Sequence, residues 1–172
     1  MAVMVRRLGA EDVAAYRELR LAALRLHPDA FGASLDEEAA LDHAGHAARL
    51  SPVPPGVVLG AFEDAALVGM AGIAGCTAAR LRHKSLLWGV HVRPASRRRG
   101  IGRVLLAAVE SHARASGIEL VQLGVNITNH AARALYAACG YRVYGEEHGA
   151  LRLGPGRYVD EELRVLDLRT GA

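Results

Sequence analysis

Apolar positions along the chain recur with two periods, and the alternation between them sets out the elements. Short apolar or alternating runs predict strands at 3–8, 57–62, 66–75, 84–92, 119–125, 141–150 and 157–168. Helical spacing predicts helices at 11–26, 35–48, 100–116 and 130–138. In the helix at 100–116, Ile101, Val104, Leu105, Ala108, Val109 and His112 mark the face predicted to be buried. Pro52-Val53-Pro54-Pro55-Gly56 separates the two early helices from the middle strands. Glu63-Asp64 and Gly154-Pro155-Gly156 suit turns between neighbouring strands. Helices interspersed among strands predict an α/β fold with a mixed central sheet, and the length suits one domain over 1–172.

The junction between the strand at 84–92 and the following helix carries the chemistry. The run Leu86-Leu87-Trp88-Gly89-Val90-His91-Val92 ends at Arg93-Pro94, and Arg97-Arg98-Arg99-Gly100-Ile101-Gly102 then opens the helix. A glycine-bearing loop at a helix N-terminus offers free N–H groups and a positive dipole end to an anion. Arginines there add charge-assisted bonds to phosphate. Three nucleotide-type readings compete. A Walker loop is excluded because no Gly-Lys followed by Ser or Thr occurs at its spacing. A dinucleotide fingerprint would need glycine where Leu105 stands. Arg-x-x-Gly-x-Gly, the form that cradles the coenzyme A pyrophosphate, fits. The plainer alternative is a basic loop that only caps its helix.

A second constellation lies downstream. Asn129 is a good N-cap for the helix at 130–138, and Tyr136 stands about two turns further on. Cys139-Gly140-Tyr141 closes that helix with glycine at the expected C′ position. Alone, this describes a capped helix with a half-buried tyrosine.

Taken together, Val92-x-Pro94-x-x-Arg97-x-x-Gly100-Ile101-Gly102 and Asn129-x-x-Ala132-x-x-Leu135-Tyr136-x-x-x-Gly140-Tyr141 resemble the GNAT superfamily of acyl-CoA-dependent N-acetyltransferases. The matching core covers 86–145, and the termini fit more loosely. The resemblance implies a mixed sheet splayed between the strands at 84–92 and 119–125, with the pantetheine arm of acetyl-CoA in the opening. It implies cofactor contacts from Val90, His91 and Val92, from Arg97, Arg98, Arg99, Gly100, Ile101, Gly102 and Arg103, and from Asn129, Ala132 and Tyr136. In that picture Tyr136 is the general acid that protonates the departing thiolate. The Val92 amide is the oxyanion donor. Gly89 marks a bulge in this strand or relieves packing near Trp88.

Direct attack on the thioester requires a neutral amine, whereas a lysine-like amine has a pKa of about 10.4. Some relatives keep a carboxylate base on the strand before the phosphate loop, and 86–92 contains none. His91 is a candidate base, although a core-edge histidine is the favoured reading. Glu146, Glu147, Asp160 and Glu161 are the acidic candidates, and they could equally select a cationic amine by complementarity. Residues 27–34 are expected to form the substrate rim, with Phe31 as pocket wall or as loop anchor.

Bulk properties narrow the remaining classes. The chain has 172 residues, 51% of them hydrophobic, and a net charge of +3. It has no run approaching the roughly twenty apolar residues of a membrane span, and its N-terminus lacks the order of a secretory signal. A cytoplasmic location is expected. Cys76 and Cys139 are read as small core residues rather than metal ligands or a disulfide, and no metal is expected. The arginine cluster has no interleaved aromatics, which disfavours nucleic acid as a partner. The expected partners are a small-molecule amine or a protein N-terminus, with a homodimer in keeping with the family. The competing function is a non-catalytic CoA or acyl-CoA sensor.

Overall fold

The computed structural model describes residues 3–169. Seven strands form one sheet: β1 (Val3–Arg7), β2 (Val57–Glu63), β3 (Ala66–Gly75), β4 (Lys84–Val92), β5 (Leu120–Asn126), β6 (Arg142–Gly154) and β7 (Arg157–Asp167). They lie in the order β1-β2-β3-β4-β5-β7-β6. Only β4 and β5 run parallel, because the helix between them returns the chain to the same edge. The sheet is therefore mixed, as the alternation of helices and strands predicts. Strands β2 and β3 are buried along nearly their whole length, which explains their continuous apolar runs.

The helices are α1 (Val13–Leu26), α2 (Leu35–Ala39), α3 (His43–Leu50), α4 (Ile101–Ala115) and α5 (His130–Ala138). They cover opposite faces of the sheet. Tyr16 and Leu19 of α1 pack with Val58, Phe62 and Met70 in one core. Ile101, Leu105, Leu106 and Val109 of α4 pack with Ala71, Leu87, Val121 and Leu123 in the other. Each fully buried side chain of this kind contributes roughly 1.5–3 kcal/mol.

Two expectations need correction. The single helix expected at 35–48 is two, because Asp42 prefers a cap to a helix interior. Its carboxylate accepts from Gly45 N–H at 2.8 Å and starts α3. Ser34 and Glu37 form a capping box that starts α2. The buried face of α4 is also rotated from the expected one, with Val104 exposed and Leu106 buried. Adjacent apolar residues at 104, 105 and 106 leave spacing alone unable to choose.

Two strand glycines position the site. Gly89 adopts φ 66° where the β3–β4 register shifts, so the bulge reading holds. Room for the Trp88 indole comes instead from Gly72, where a Cβ would collide with the ring. Among the described residues, no helix is long and apolar enough to cross a membrane.

Candidate active site

Strands β4 and β5 pair only from Lys84 to Leu86 against Leu120 to Gln122. Beyond that point β4 stays paired to β3 as far as Val92, and β5 stays paired to β7 as far as Asn126. The sheet therefore opens into a wedge. A cavity of about 910 Å³ fills the wedge and extends over the N-termini of α4 and α5.

The free edge of β4 follows from strand alternation. Arg93 N–H donates to Val68 O at 2.8 Å, so the main chain of His91 also faces β3. The N–H and C=O groups of Val90 and Val92 turn the other way, into the wedge. This departs from the expectation that all three residues would offer main-chain groups to a ligand. Arg97 folds back over this edge, donating from Nε to Val92 O at 2.9 Å and reaching His27 Nε2 at 2.9 Å through Nη2.

The loop before α4 is coiled by two left-handed residues, Arg98 at φ 64° and Gly100 at φ 81°. A left-handed arginine stores strain of about 1–3 kcal/mol, typical of backbone shaped for a ligand. Gly100 caps α4 without any side-chain bond, and the first intrahelical bond runs from Val104 N–H to Gly100 O. The N–H groups of Ile101, Gly102 and Arg103 thus have no partner within the helix. Arg98 and Arg103 line the cavity beside them. Gly102 has a packing role as well: a Cβ there would lie 2.9 Å from Leu135 Cδ2, so its absence lets α4 press against α5. Arg99 leaves the group, since it pairs with Glu63 at 2.6 Å and lies off the cavity wall.

Asn129 caps α5 by accepting from Ala132 N–H at 3.1 Å, and both residues line the cavity. Tyr136 also lines it and is buried, with its ring edge-on to Tyr141 at 5.8 Å. Burial, reinforced by Cys139 and Glu161, holds its phenol far above the ordinary range, so the proton stays on at neutral pH.

Of the acidic candidates, only Glu161 lines the cavity. Its carboxylate covers Gly124 of β5, where any Cβ would collide with it. Burial first, and then the nearby Glu147 charge, raise its pKa above the ordinary carboxylate value. The other acids need correction as substrate residues. Glu146 and Glu147 are exposed on β6, and Asp160 accepts from Gly149 N–H at 2.7 Å to hold the irregular β6–β7 ladder. None of the three lines the cavity.

On the opposite wall, His27 and residues 30–33 line the cavity, and Asn126 ties this segment down by donating to Asp29 O at 3.2 Å and to Asp29 Oδ2 at 3.1 Å. Phe31 is both wall and anchor, since it lines the cavity and packs on the α1-side core. His91 is buried there, and burial together with Arg97, His27, Arg93 and Arg20 pushes its pKa down to about 4. Arg20 was not foreseen, although its place four residues after Tyr16 and four before Leu24 puts it on the apolar face of α1. Its guanidinium stacks on Phe31 and Trp88 and meets Glu38 at 3.4 Å. Among the described residues, no group of three or more His, Cys, Asp or Glu residues is placed to hold a metal ion.

The family model of the GNAT acetyltransferases matches residues 16–141, which take in β4 and β5 on either side of the wedge, the loop before α4, and α5. This chain belongs to the GNAT acetyltransferase family. Solved members share its architecture almost end to end. A GNAT acetyltransferase from Streptococcus pneumoniae superposes with a TM-score of 0.84 at 23% identity, covering 96% of this chain and 99% of that one. A putative acetyltransferase from Salmonella typhimurium, solved with its cofactor acetyl-CoA, gives 0.82 at 24% identity, covering 100% and 97%. A ribosomal-protein-alanine N-acetyltransferase from Brucella melitensis gives 0.81 at 24%, covering 96% and 99%. A comparison with curated proteins found no match. At these identities the solved structures establish the GNAT fold.

Proposed function

We propose that this GNAT acetyltransferase carries the acetyl group of acetyl-CoA onto a primary amine, of a small molecule or of a protein N-terminus, by direct attack. The observation that carries the reading is the convergence on one cavity of unpaired α4 N–H groups, a free β4 edge and a buried protonated tyrosine. The residues fit the carrier. The amides of residues 101–103, with Arg98 and Arg103, suit a diphosphate, and the Val90 main chain suits an extended amide-bearing arm, while Val92 O is already held by Arg97. Bound acetyl-CoA supplies an activated acyl thioester.

This chain's own groups then divide the work. Glu161 takes the proton that the amine loses as its C–N bond forms. The Val92 N–H holds the charge that develops on the acyl oxygen. Tyr136 gives its proton to the sulfur as the C–S bond breaks, and solvent exchange returns both groups to their starting states.

The test is thiol release from acetyl-CoA across polyamines, amino acids, aminoglycosides and N-terminal peptides. Saturable uptake of acetyl-CoA with thiol release from at least one acceptor is expected. Uptake without release from any amine would point to a CoA sensor instead. In single-turnover measurements Tyr136→Phe should slow transfer by about 10²-fold while leaving acetyl-CoA affinity nearly unchanged. Equal rates would remove Tyr136 from the mechanism. Gly100→Ala forces a side chain into the left-handed region at a cost of about 1–2 kcal/mol, so the Kd for acetyl-CoA should rise about tenfold in calorimetry.

A further inference from the structure

The acceptor side of the cavity is lined by basic side chains. Arg20 is 5% exposed, and its charge is only partly met, because Glu38 approaches Nε at 3.4 Å and leaves Nη1 without a partner. Nη1 lies under Gly89, whose missing side chain leaves it the nearest atom at that point of the wall, 3.6 Å from where a Cβ would stand. Phe31 and Trp88 flank the guanidinium, with ring centroids 5.1 and 5.8 Å from its carbon, and fix it in place. His91 Nε2 is likewise buried without a partner. His27 and Arg97 complete the wall, and Glu161, the one carboxylate among the described residues that lines the cavity, stands on β7 beside β5.

A buried guanidinium with an open donor is costly unless an anion meets it. Burial first, and then the charges of Arg97, His27, Arg93 and Arg20, lower the His91 pKa, so these cations add to the positive potential at this wall. A cationic amine without an anionic group would meet this wall unfavourably. A carboxylate would be held by Arg20, with its amine free to turn toward Glu161.

We propose that the acceptor is an amine bearing a carboxylate, of amino-acid type, with the carboxylate recognised by Arg20 beneath Gly89. This rests on the acetyl-transfer reading and chooses among its acceptors, favouring free amino acids over polyamines and protein N-termini.

The test has a readout that needs no turnover. Trp88 is the chain's one tryptophan and lies against Arg20, so its fluorescence reports the acceptor pocket. The protein, saturated with CoA, is titrated with a set of L-amino acids, their amides and the corresponding decarboxylated amines. Saturable fluorescence changes are expected from one or more amino acids, at least tenfold tighter than from the matching amide or amine. In thiol release, kcat/KM should show the same order. Arg20→Gln should erase the preference and raise KM for the carboxylated acceptor, with the KM for acetyl-CoA unchanged and Arg20→Lys intermediate. Should the Arg20 variants misfold, the wild-type ratios still decide. Amides or plain amines bound and acetylated as well as their acids would overturn the proposal while sustaining acetyl transfer. Tight amino-acid binding without thiol release from any acceptor would uphold the pocket and overturn the transfer reading.

Discussion

Glu161→Gln is expected to lower kcat/KM by about 10²–10³-fold at neutral pH, within the range general-base removal produces, with acetyl-CoA affinity intact. The geometry singles this carboxylate out. It lies over Gly124 on the cavity wall and has no hydrogen-bond or ion-pair partner among the described residues. Burial and Glu147 raise its pKa, which brings a carboxylate closer to the basicity that proton transfer near neutrality needs. The acidic limb of the wild-type kcat/KM profile should therefore lie above the ordinary glutamate value of about 4.3. That limb should disappear, or follow the amine alone, in Glu161→Gln.

Stability separates catalysis from scaffolding at this residue. A carboxylate whose folded pKa is raised favours the folded state at acidic pH, and this contribution is lost as pH rises through the raised value. At a pH above both values the ionised group disfavours folding, so Glu161→Gln should melt no lower than wild type, and higher if the relief is complete. A variant that lost activity and stability together would argue that Glu161 is structural.

The second large effect is expected from Glu38→Ala. Glu38 is 1% exposed and lies within 3.4 Å of Arg20 Nε, 3.7 Å of Arg49 Nε and 3.9 Å of His46 Nδ1. Removing the only carboxylate in this group leaves the Arg20 charge buried and unpaired. Such a loss costs about 3–5 kcal/mol, which for a domain of this length lowers Tm on the order of 10 °C. Urea unfolding monitored by circular dichroism checks it through the midpoint. A change under 1 kcal/mol would mean that Arg20 escapes to solvent when its partner goes. The acceptor wall should suffer too, since Glu38 helps to aim the guanidinium at the cavity.

What the sequence disclosed and what it hid follow from the range of each signal. The glycine-bearing loop before α4 and the capped α5 were legible because their determinants are local: Gly100 supplies a left-handed cap, and Asn129 and Tyr136 share a helix at fixed spacing. The splayed sheet came with the family resemblance, since nothing in 84–92 or 119–125 alone states where pairing stops. Arg20 and Glu38 stayed hidden because their burial depends on a contact between α1 and α2. An arginine in a helix usually lies on its solvent face, and only its position in the Tyr16–Leu24 stripe marked it.

Glu161 was one acid in the run Asp160-Glu161-Glu162, and the three have different fates. Asp160 holds Gly149, Glu162 pairs with Arg133 at 3.0 Å and Arg164 at 2.6 Å, and Glu161 faces the cavity. Strand alternation sends neighbours to opposite faces, but without the β5–β7 register it does not say which face is which. The clue lay across the ladder: Gly124, a glycine inside an apolar strand, marks a place where another group comes close.

Amide NMR during titration with acetyl-CoA probes the centre of this account directly. One-to-one saturation is predicted, with the largest shifts at the N–H groups of Arg98 through Arg103 and of Val90 and Val92, and with His91 moving less. No uptake by folded protein, or saturable shifts confined to β1 and β2, which do not line the cavity, would contradict it.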